Sequence, residues 1–592
     1  MASKDDAGEI DRVLRFLIKL LEPERRFFWM AAIYGLGVSL LTLAVPVSVQ
    51  LLINTVANTT LVGLLVVLSL TLFSLLLFSG LLTALREHLL EIFGRRFHAR
   101  MTAEIATRAI FAQDPFFADH ARSDVFNRYF DIDTVQKAVP KLLIGGFTVL
   151  LQAVSGFVLV SFYHPFFLAF NLLIISAACA IWLFWGRAAM RTAITLSHAK
   201  YDTARWLESI GASNGFYKSE HHVAYALDRS DAFSARYVEA SRGHFRRTFA
   251  QSVGFLLLYA LASSALLALG GWLVIQNQLT LGQLVAAELV LSAIFVGLAG
   301  LGYYLNSFYD LFAGIEEISQ FWDIGQEELD GGMTPPAQAG EIDFVQASAE
   351  ARGRVLMLDF SIPAGARVLA AAADPALQSA VLRLLKRHMQ PTSGFISFGG
   401  VDLGAIDGPW LRGHVVVLQR PTIVDCTIRD YLQLSAPDAP PTEYLRMLEL
   451  VGLAEPIARL PEGLDTELTT TGWPLTMPEA ILLKLAGAIL GRPRVLVLSE
   501  IYDLVPEERL RLILSYAPQD VTLIYFSNRE GACGMKQFLW IDYLEQALFD
   551  RFEDFEQARR GAGQRRLPSG SRLLPPVAPA ADPKSQSDSE PS

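Results

Sequence analysis

Long, uninterrupted apolar runs fill the first half of the chain and then stop. Six of them, near Phe27–Ile53, Leu61–Leu85, Leu142–Tyr163, Pro165–Trp185, Ser252–Ile275 and Leu281–Tyr304, are long enough to cross a bilayer, which takes about 20 residues as a helix. The first is too long and too far from Met1 to read as a cleaved signal peptide. Just before it, Arg12, Arg15 and Lys19 share one helical face, and Leu14, Phe16, Leu17, Ile18 and Leu21 occupy other positions. That pattern predicts an amphipathic helix lying on the membrane surface. From about residue 341 the period changes. Short apolar strands, among them Val368–Ala372, Val495–Leu498 and Val521–Phe526, alternate with helical stretches, as in a soluble α/β domain with a parallel sheet.

Charge orients the apolar half. The connections after spans one, three and five carry no lysine or arginine. Those after spans two and four carry many, including Arg86, Arg95, Arg96, Arg100 and Arg108 in one and Arg187, Arg191, Lys200, Arg205, Arg246 and Arg247 in the other. The positive-inside rule therefore predicts both termini and both long connections on the cytoplasmic side, as for a bacterial inner-membrane protein. The long connections are rich in helix formers, so the spanning helices are expected to continue well past the bilayer. The division predicted is a membrane domain over 1–325, a Gly- and Pro-containing linker over 326–340, an α/β domain over 341–552 and a disordered tail over 553–592, rich in Pro, Ser and Ala.

The 592-residue chain is 52% hydrophobic, too apolar for an ordinary soluble enzyme. Its net charge of −10, with no pooled basic patch, argues against nucleic acid as a partner. Cys179, Cys426 and Cys533 are too far apart to suggest a disulfide framework or a zinc site.

Several local motifs follow one another in a telling order. Asp114-Pro115-Phe116-Phe117 through Asp131-Ile132-Asp133-Thr134-Val135 is similar to the first coupling loop of ATP-binding-cassette (ABC) exporters. Gln278-Leu279-Thr280-Leu281-Gly282-Gln283-Leu284 is similar to the lead-in to their sixth span, and Gln419-Arg420-Pro421 with Cys426-Thr427-Ile428-Arg429-Asp430 to their Q-loop region. Leu460-Pro461-Glu462-Gly463-Leu464-Asp465-Thr466-Glu467 is similar to the approach to their signature motif. All of the chain except the tail thus resembles an ABC exporter half-transporter. The resemblance implies a six-helix transmembrane domain of the ABC exporter fold fused to an α/β P-loop-NTPase-like nucleotide-binding domain. It also implies a dimer, with ATP and Mg2+ as ligands.

The nucleotide motifs depart from that pattern. A phosphate loop reads G-x-x-x-x-G-K-[ST], with glycines that turn backbone N–H groups onto the phosphates and a lysine that neutralises them. Here the glycine positions hold Ala372 and Leu377, Pro375 offers no N–H, and Gln378 stands at the lysine position. Ser379 keeps the magnesium-ligand position. A lost hydrogen bond to a charged group costs about 1.5–3 kcal/mol, and each 1.4 kcal/mol is about tenfold in affinity. Asp374-Pro375 reads instead as an N-cap followed by a first-turn proline, so the Asp374 carboxylate is expected at the helix end where phosphate would otherwise sit. The signature position reads Leu475-Thr476-Met477-Pro478-Glu479, a capping box in which Glu479 reaches back to Thr476. By the same resemblance the Walker B carboxylate aligns with Ser499, the catalytic base with Glu500 and the switch histidine with Asn528. Gln419 keeps the Q-loop glutamine. An adenine-stacking aromatic is missing near Ala349–Ala351. Glu500 without a bound metal and phosphate has nothing to act on.

In the membrane half, Glu288, about two turns into span six, is a candidate for the substrate path, against a carboxylate near the outer interface reached by water. Gln50, Gln152 and Asn171 read as helix–helix hydrogen-bond partners. The functional expectation is an ABC-type exporter subunit with a degenerate ATP site, weak or inactive as an ATPase alone, working in a heterodimer with an intact half-transporter. The alternatives are a non-transporting membrane scaffold or regulator and a self-sufficient ATP-driven homodimer.

Overall fold

The computed structural model describes residues 2–56, 62–114, 124–327, 332–335, 340–543 and 545–565. Parts of the expected coupling loop (115–123), of the linker (328–331 and 336–339) and the tail beyond 565 lie outside the described residues. The chain divides into two compact units, Met1–Glu327 and Glu328–Ser592.

The first unit is helical: α1 (Ala2–Leu21), α2 (Arg25–Thr42), α3 (Ala44–Val56), α4 (Val62–Ile110), α5 (Asp131–Lys141), α6 (Phe147–Ser161), α7 (Pro165–Ala212), α8 (Glu220–Ile275), α9 (Leu281–Ala299) and α10 (Leu301–Ser319). Among the described residues, six helical stretches are long and apolar enough to cross a membrane. Their outward faces carry exposed Leu70, Phe73, Leu77, Leu173, Phe184, Leu261 and Leu267, a surface suited to lipid and not to water. With 48 and 56 residues, α7 and α8 run about 70 and 80 Å at 1.5 Å per residue, well beyond a hydrocarbon core of about 30 Å.

Local sequence sets the breaks. Pro46 removes the N–H that would bond to the Thr42 carbonyl, and α2 gives way to α3 at Leu43. A π-turn at Leu142–Gly146 joins α5 to α6, and Gly145 there leaves room for the Tyr304 ring, which a Cβ would meet at 2.1 Å. Thr280 and Gln283 form a reciprocal capping box at the start of α9, with the Gln283 N–H to Thr280 Oγ1 at 3.2 Å and the Thr280 N–H to Gln283 Oε1 at 2.9 Å.

Gly156 on α6 faces Val290 and Ile294 of α9, and Gly297 on α9 faces Val149 of α6, so small residues let this helix pair approach closely. Tyr163 donates to Gln50 at 2.6 Å, and Asn171 donates to the Phe157 carbonyl and the Ser161 hydroxyl at 3.2 and 3.1 Å. Gln152 makes no such bond among the described residues. The apolar face of α1 is used differently from a purely interfacial helix. Ile10, Val13 and Leu20 are buried in a protein core with Phe93, Phe97 and Phe312, leaving Arg12, Arg15, Ile18 and Lys19 outward.

Beyond the apolar zone, polar side chains tie α5, α7 and α10 together. Arg128 donates to the fully buried Glu317 at 2.8 Å, and Ser197 fills the other carboxylate oxygen at 2.9 Å. Tyr201 donates to Asp131 at 2.5 Å and Lys200 reaches the same carboxylate at 3.3 Å.

The second unit has strands β1 (Ile342–Ala351), β2 (Arg354–Ile362), β3 (Arg367–Ala372), β4 (Ser393–Phe398), β5 (Val401–Asp402), β6 (Val415–Leu418), β7 (Cys426–Thr427), β8 (Glu467–Leu468), β9 (Val495–Leu498), β10 (Thr522–Phe526), β11 (Gln537–Ile541) and β12 (Gln546–Phe549). A six-stranded sheet runs β12-β11-β3-β10-β9-β6 and a four-stranded antiparallel sheet β2-β1-β4-β5. All pairs in the larger sheet are parallel except β11 with β12. Helix α11 (Pro375–Leu385) buries Leu377, Val381, Leu384 and Leu385 in the core shared by the two sheets, with Val368 and Ala370 of β3. The other face of the larger sheet is covered by α12 (Met477–Leu490) and its neighbours. Covered on both faces, β9 and β10 are wholly apolar or buried along their length. Residues 553–565, assigned from composition to the disordered tail, instead belong to a helix, α13 (Phe552–Arg565). Its Phe552 and Phe555 pack on Phe538 of β11 at 5.4 and 5.8 Å, and that aromatic burial outweighs the polar composition that follows.

Breaking the Arg128–Glu317 pair from one side leaves a buried charge without a partner. Glu317→Leu is expected to destabilise the full-length protein by about 3–5 kcal/mol, and the double variant with Arg128→Met to recover most of that loss. Thermal unfolding in detergent, followed by tryptophan fluorescence, reads both.

Candidate functional site

The N-terminus of α11 can be accounted for donor by donor. Asp374 has extended backbone (φ −145°), and its Oδ1 accepts from the Ala376 N–H at 2.8 Å. Its main-chain carbonyl takes the Leu377 and Gln378 N–H groups at 3.0 and 3.4 Å. Pro375 has none to give. The Ala373 N–H is bonded to the Ile541 carbonyl at 2.9 Å. Of the N–H groups from 373 to 378, that of Ala373 is turned into the sheet, Pro375 has none and those of Ala376, Leu377 and Gln378 are held by Asp374. Arg352, in the β1–β2 turn, lies 3.6 Å from the same carboxylate oxygen. Leu377, at a glycine position of the phosphate loop, is fully buried in the inter-sheet core. Ala372 ends β3 half-buried.

Six residues marked by sequence fall around this helix end. Gln378, Ser379, Gln419, Ser499 and Glu500 line one cavity of about 350 Å³ together with Pro375, Leu382 and Ile501, and Asp374 caps the helix directly beside Pro375. Gln378 Nε2 donates to Glu500 Oε2 at 2.5 Å. Ser499 is buried and its hydroxyl has no hydrogen-bond partner among the described residues. The cavity wall carries one carboxylate and no cation, so its field does not favour an anion. A larger cavity, about 760 Å³, opens at the N-terminal ends of β3, β9 and β10 and contains none of the residues marked by sequence.

Asn528 lies outside this cavity. Its backbone N–H donates to Asp503 Oδ2 at 3.0 Å. Asp503 also accepts from the Ser527 hydroxyl at 2.8 Å and from the Tyr525 phenol; burial first, then that bond, holds the phenol proton well above its usual range. Arg529 donates to the carbonyls of Tyr502, Asp503 and Val505. The segment after β10 is therefore pinned to the turn after β9 by protein groups alone.

At the start of α12, Glu479 Oε2 accepts from the Thr476 N–H at 2.8 Å and from the Thr476 hydroxyl at 2.6 Å, closing a capping box. Farther along the same helix, Lys484 donates to the carbonyls of Arg420 and Thr422 at 2.6 and 2.8 Å, tying α12 to the segment that follows Gln419. Burial, then the positive charges of Lys386 and Arg420, pushes its ammonium down to about 8. In the membrane unit Glu288 is exposed on α9 and accepts from Ser292 at 3.0 Å.

Arg352, Lys484, Asp503 and Arg529 were not singled out from sequence. A signal existed for one: Lys484 is the lone basic residue in the helix Met477–Leu490, which is apolar after its capping Glu479. The others act on groups distant in sequence that come close only in the fold.

Residues 28–208 match the ABC transporter transmembrane region. The mesentericin transport/processing ATP-binding protein of Leuconostoc mesenteroides is 22% identical over 510 residues, covering 83% of this chain and 69% of that protein. The uncharacterized ABC transporter ATP-binding protein YfiC of Bacillus subtilis is 24% identical over 452 residues, 73% of each chain. A structure of a bacterial Atm1-family ABC exporter with ATP bound superposes with a TM-score of 0.75 at 18% identity, covering 93% of this chain and 99% of that one. The fold is that of an ABC exporter half-transporter, an integral multi-pass membrane protein, with a transmembrane region of the ABC transporter type.

Two outcomes follow. Asp374→Ala frees the Ala376 N–H and is expected to destabilise the fold by about 1 kcal/mol in urea unfolding. For Lys484, the folded value of about 8 lies below its ordinary 10.5, so the unfolded chain binds more protons between those values and this group makes stability rise with pH across that window, the gain being lost as pH falls back through about 8. Lys484→Met is expected to flatten that rise, read as melting temperature between those two pH limits.

Proposed function

We propose that this chain is the nucleotide-inert half of an ABC-type exporter, moving a substrate out of the cytoplasm together with a nucleotide-competent half-transporter. The observation that carries this reading is the donor account at α11: a phosphate arriving there meets a carboxylate and finds the Ala376, Leu377 and Gln378 N–H groups already bonded to Asp374. Helix N-termini hold anions through those N–H groups, so their prior use removes the attraction and Asp374 adds repulsion. Gln378 in place of a lysine is spent on Glu500, and Ser499 offers a hydroxyl where magnesium would need a carboxylate. ATP and Mg2+ do not fit the residues present.

The start of α12 supports the same conclusion from a separate place, since Glu479 closes it with the chain's own acid. With both phosphate-facing positions closed, two copies of this chain would offer no open site, which favours a different, competent partner over a homodimer. The role left to the second unit is mechanical. Its clamps, Gln378–Glu500, Asp503–Arg529 and Lys484 on the Arg420 and Thr422 carbonyls, make one rigid body of segments that a nucleotide would otherwise connect.

The test is photolabelling of native membranes with an azido-ATP analogue at micromolar concentration, followed by purification of this chain in mild detergent. The expected result is background labelling of this chain and labelling of a co-purifying half-transporter. Saturable labelling of this chain that Ser379→Ala abolishes would overturn the nucleotide-inert reading. A stable homodimer with no labelled partner would instead favour the scaffold.

A further inference from the structure

Arg86 presents a buried charge with no ion pair among the described residues; its sequence neighbour Glu87, exposed on α4, acts on it only at longer range. It is the first charged residue of α4, after the apolar stretch that begins at Val62, and it is 3% exposed. Cα–Cβ bonds tilt toward a helix N-terminus, so its side chain leans back along that apolar stretch. Nη1 donates to Thr148 Oγ1 of α6 at 2.6 Å. Gly35 of α2 makes the space; a Cβ there would lie 3.4 Å from Nη1. Thr148 comes seven residues after Lys141 and Gly35 nine after Arg26, which puts this contact about 10 Å inside the last charges of the neighbouring helices.

A guanidinium has five N–H donors and stays charged. Here one is bonded to a neutral hydroxyl. Nε is buried with no acceptor, and no carboxylate lies within ion-pair distance of Arg86 among the described residues. The contrast with Arg128 is direct: that arginine, equally buried, has Glu317 at 2.8 Å. Buried cations in membrane domains are paired or functional, and planar, forked donors suit phosphate.

We infer that Arg86 and Thr148 form the protein half of a phosphate-anion site whose occupant is the headgroup of an acidic phospholipid. The surroundings favour a lipid over a free ion. Leu81 and Leu85 on α4 and Ile33, Leu36 and Leu40 on α2 are exposed apolar residues on the two helices that flank the arginine, a surface for acyl chains beside a buried cation. A soluble anion would have to leave water to reach the same donors.

The full-length protein, delipidated in maltoside detergent, tests this by melting temperature. One arm titrates phosphatidylglycerol, a second inorganic phosphate and a third the uncharged lipid diacylglycerol. Phosphatidylglycerol alone is expected to raise the melting temperature. Arg86→Met should weaken that response by roughly tenfold in lipid concentration, and should raise the melting temperature of the lipid-free protein, because it removes the unmatched charge. Arg86→Lys should keep part of the response. Thr148→Val, which keeps the shape and removes the hydroxyl, should weaken it several-fold and serves if Arg86→Met does not fold. A full lipid response in both Arg86→Met and Thr148→Val overturns the site. An equal response to inorganic phosphate overturns the lipid assignment. Loss of a dimer on gel filtration in Arg86→Met, with the lipid response unchanged, would place the counter-charge on a second subunit and equally overturn the proposal.

Discussion

A helix that begins at the carboxyl end of a parallel strand must find acceptors for its first N–H groups, and in the C-terminal unit that demand is met from within the chain. Asp374 takes three N–H groups, through its side chain and its carbonyl. Pro375 removes a fourth, and Leu377 turns the loop's glycine position into core. These changes depend on one another. Burying Leu377 fixes the first turn of α11 against β3, which holds Asp374 at the helix end. The cap in turn satisfies the first turn of the helix from within the chain: the Ala376, Leu377 and Gln378 N–H groups all find their acceptor on Asp374.

The same accounting runs through the membrane unit. Where acids and bases leave water there, they do so in matched sets: Glu317 with Arg128 and Ser197, Asp131 with Tyr201 and Lys200, Glu24 with Arg96 and Arg100. Each set joins helices far apart in sequence, so each fixes the long extensions beyond the apolar zone. Against that rule, the single bond of Arg86 to Thr148 stands out as physically incomplete, because the energy of burying a charge has to be offset by something nearby.

Much of the fold was legible from residue pattern alone. The six apolar runs, the break to short buried strands near 341 and strands such as Val495–Leu498 follow from length and period, which survive even at low sequence similarity. Two features did not follow. The amphipathic α1 was read as a membrane-surface helix because its pattern does not say whether lipid or protein covers its apolar side; Ile10, Val13 and Leu20 meet protein. Helix α13 was read as tail because two phenylalanines, Phe552 and Phe555, are too few to make a periodic signal, yet they suffice once Phe538 is beside them. At the candidate site, caps are short-range and so readable as Asp-Pro and Thr-x-x-Glu. The Gln378–Glu500 bond spans 122 residues and the Asp503–Asn528 contact spans 25; such pairs exist only after the sheet has assembled.

Energetics then constrains what the C-terminal unit can do. A ligand shifts a conformational equilibrium only by the difference in its affinity for the two states, so under the proposed nucleotide-inert reading the domain contributes no such shift of its own. On that reading, movement of the membrane helices is driven from outside this chain. What the unit can supply is stiffness. Arg529 bridges three consecutive-turn carbonyls, Lys484 holds two more, and both anchors are side chain to main chain, so they resist backbone displacement and not merely side-chain motion. The segment after β10 and the turn after β9, and α12 and the segment after Gln419, are thereby joined by the chain's own bonds. A body of that kind passes on a force applied at one surface with little loss to internal rearrangement, which is the property that the proposed role as the passive half of a two-part transporter requires.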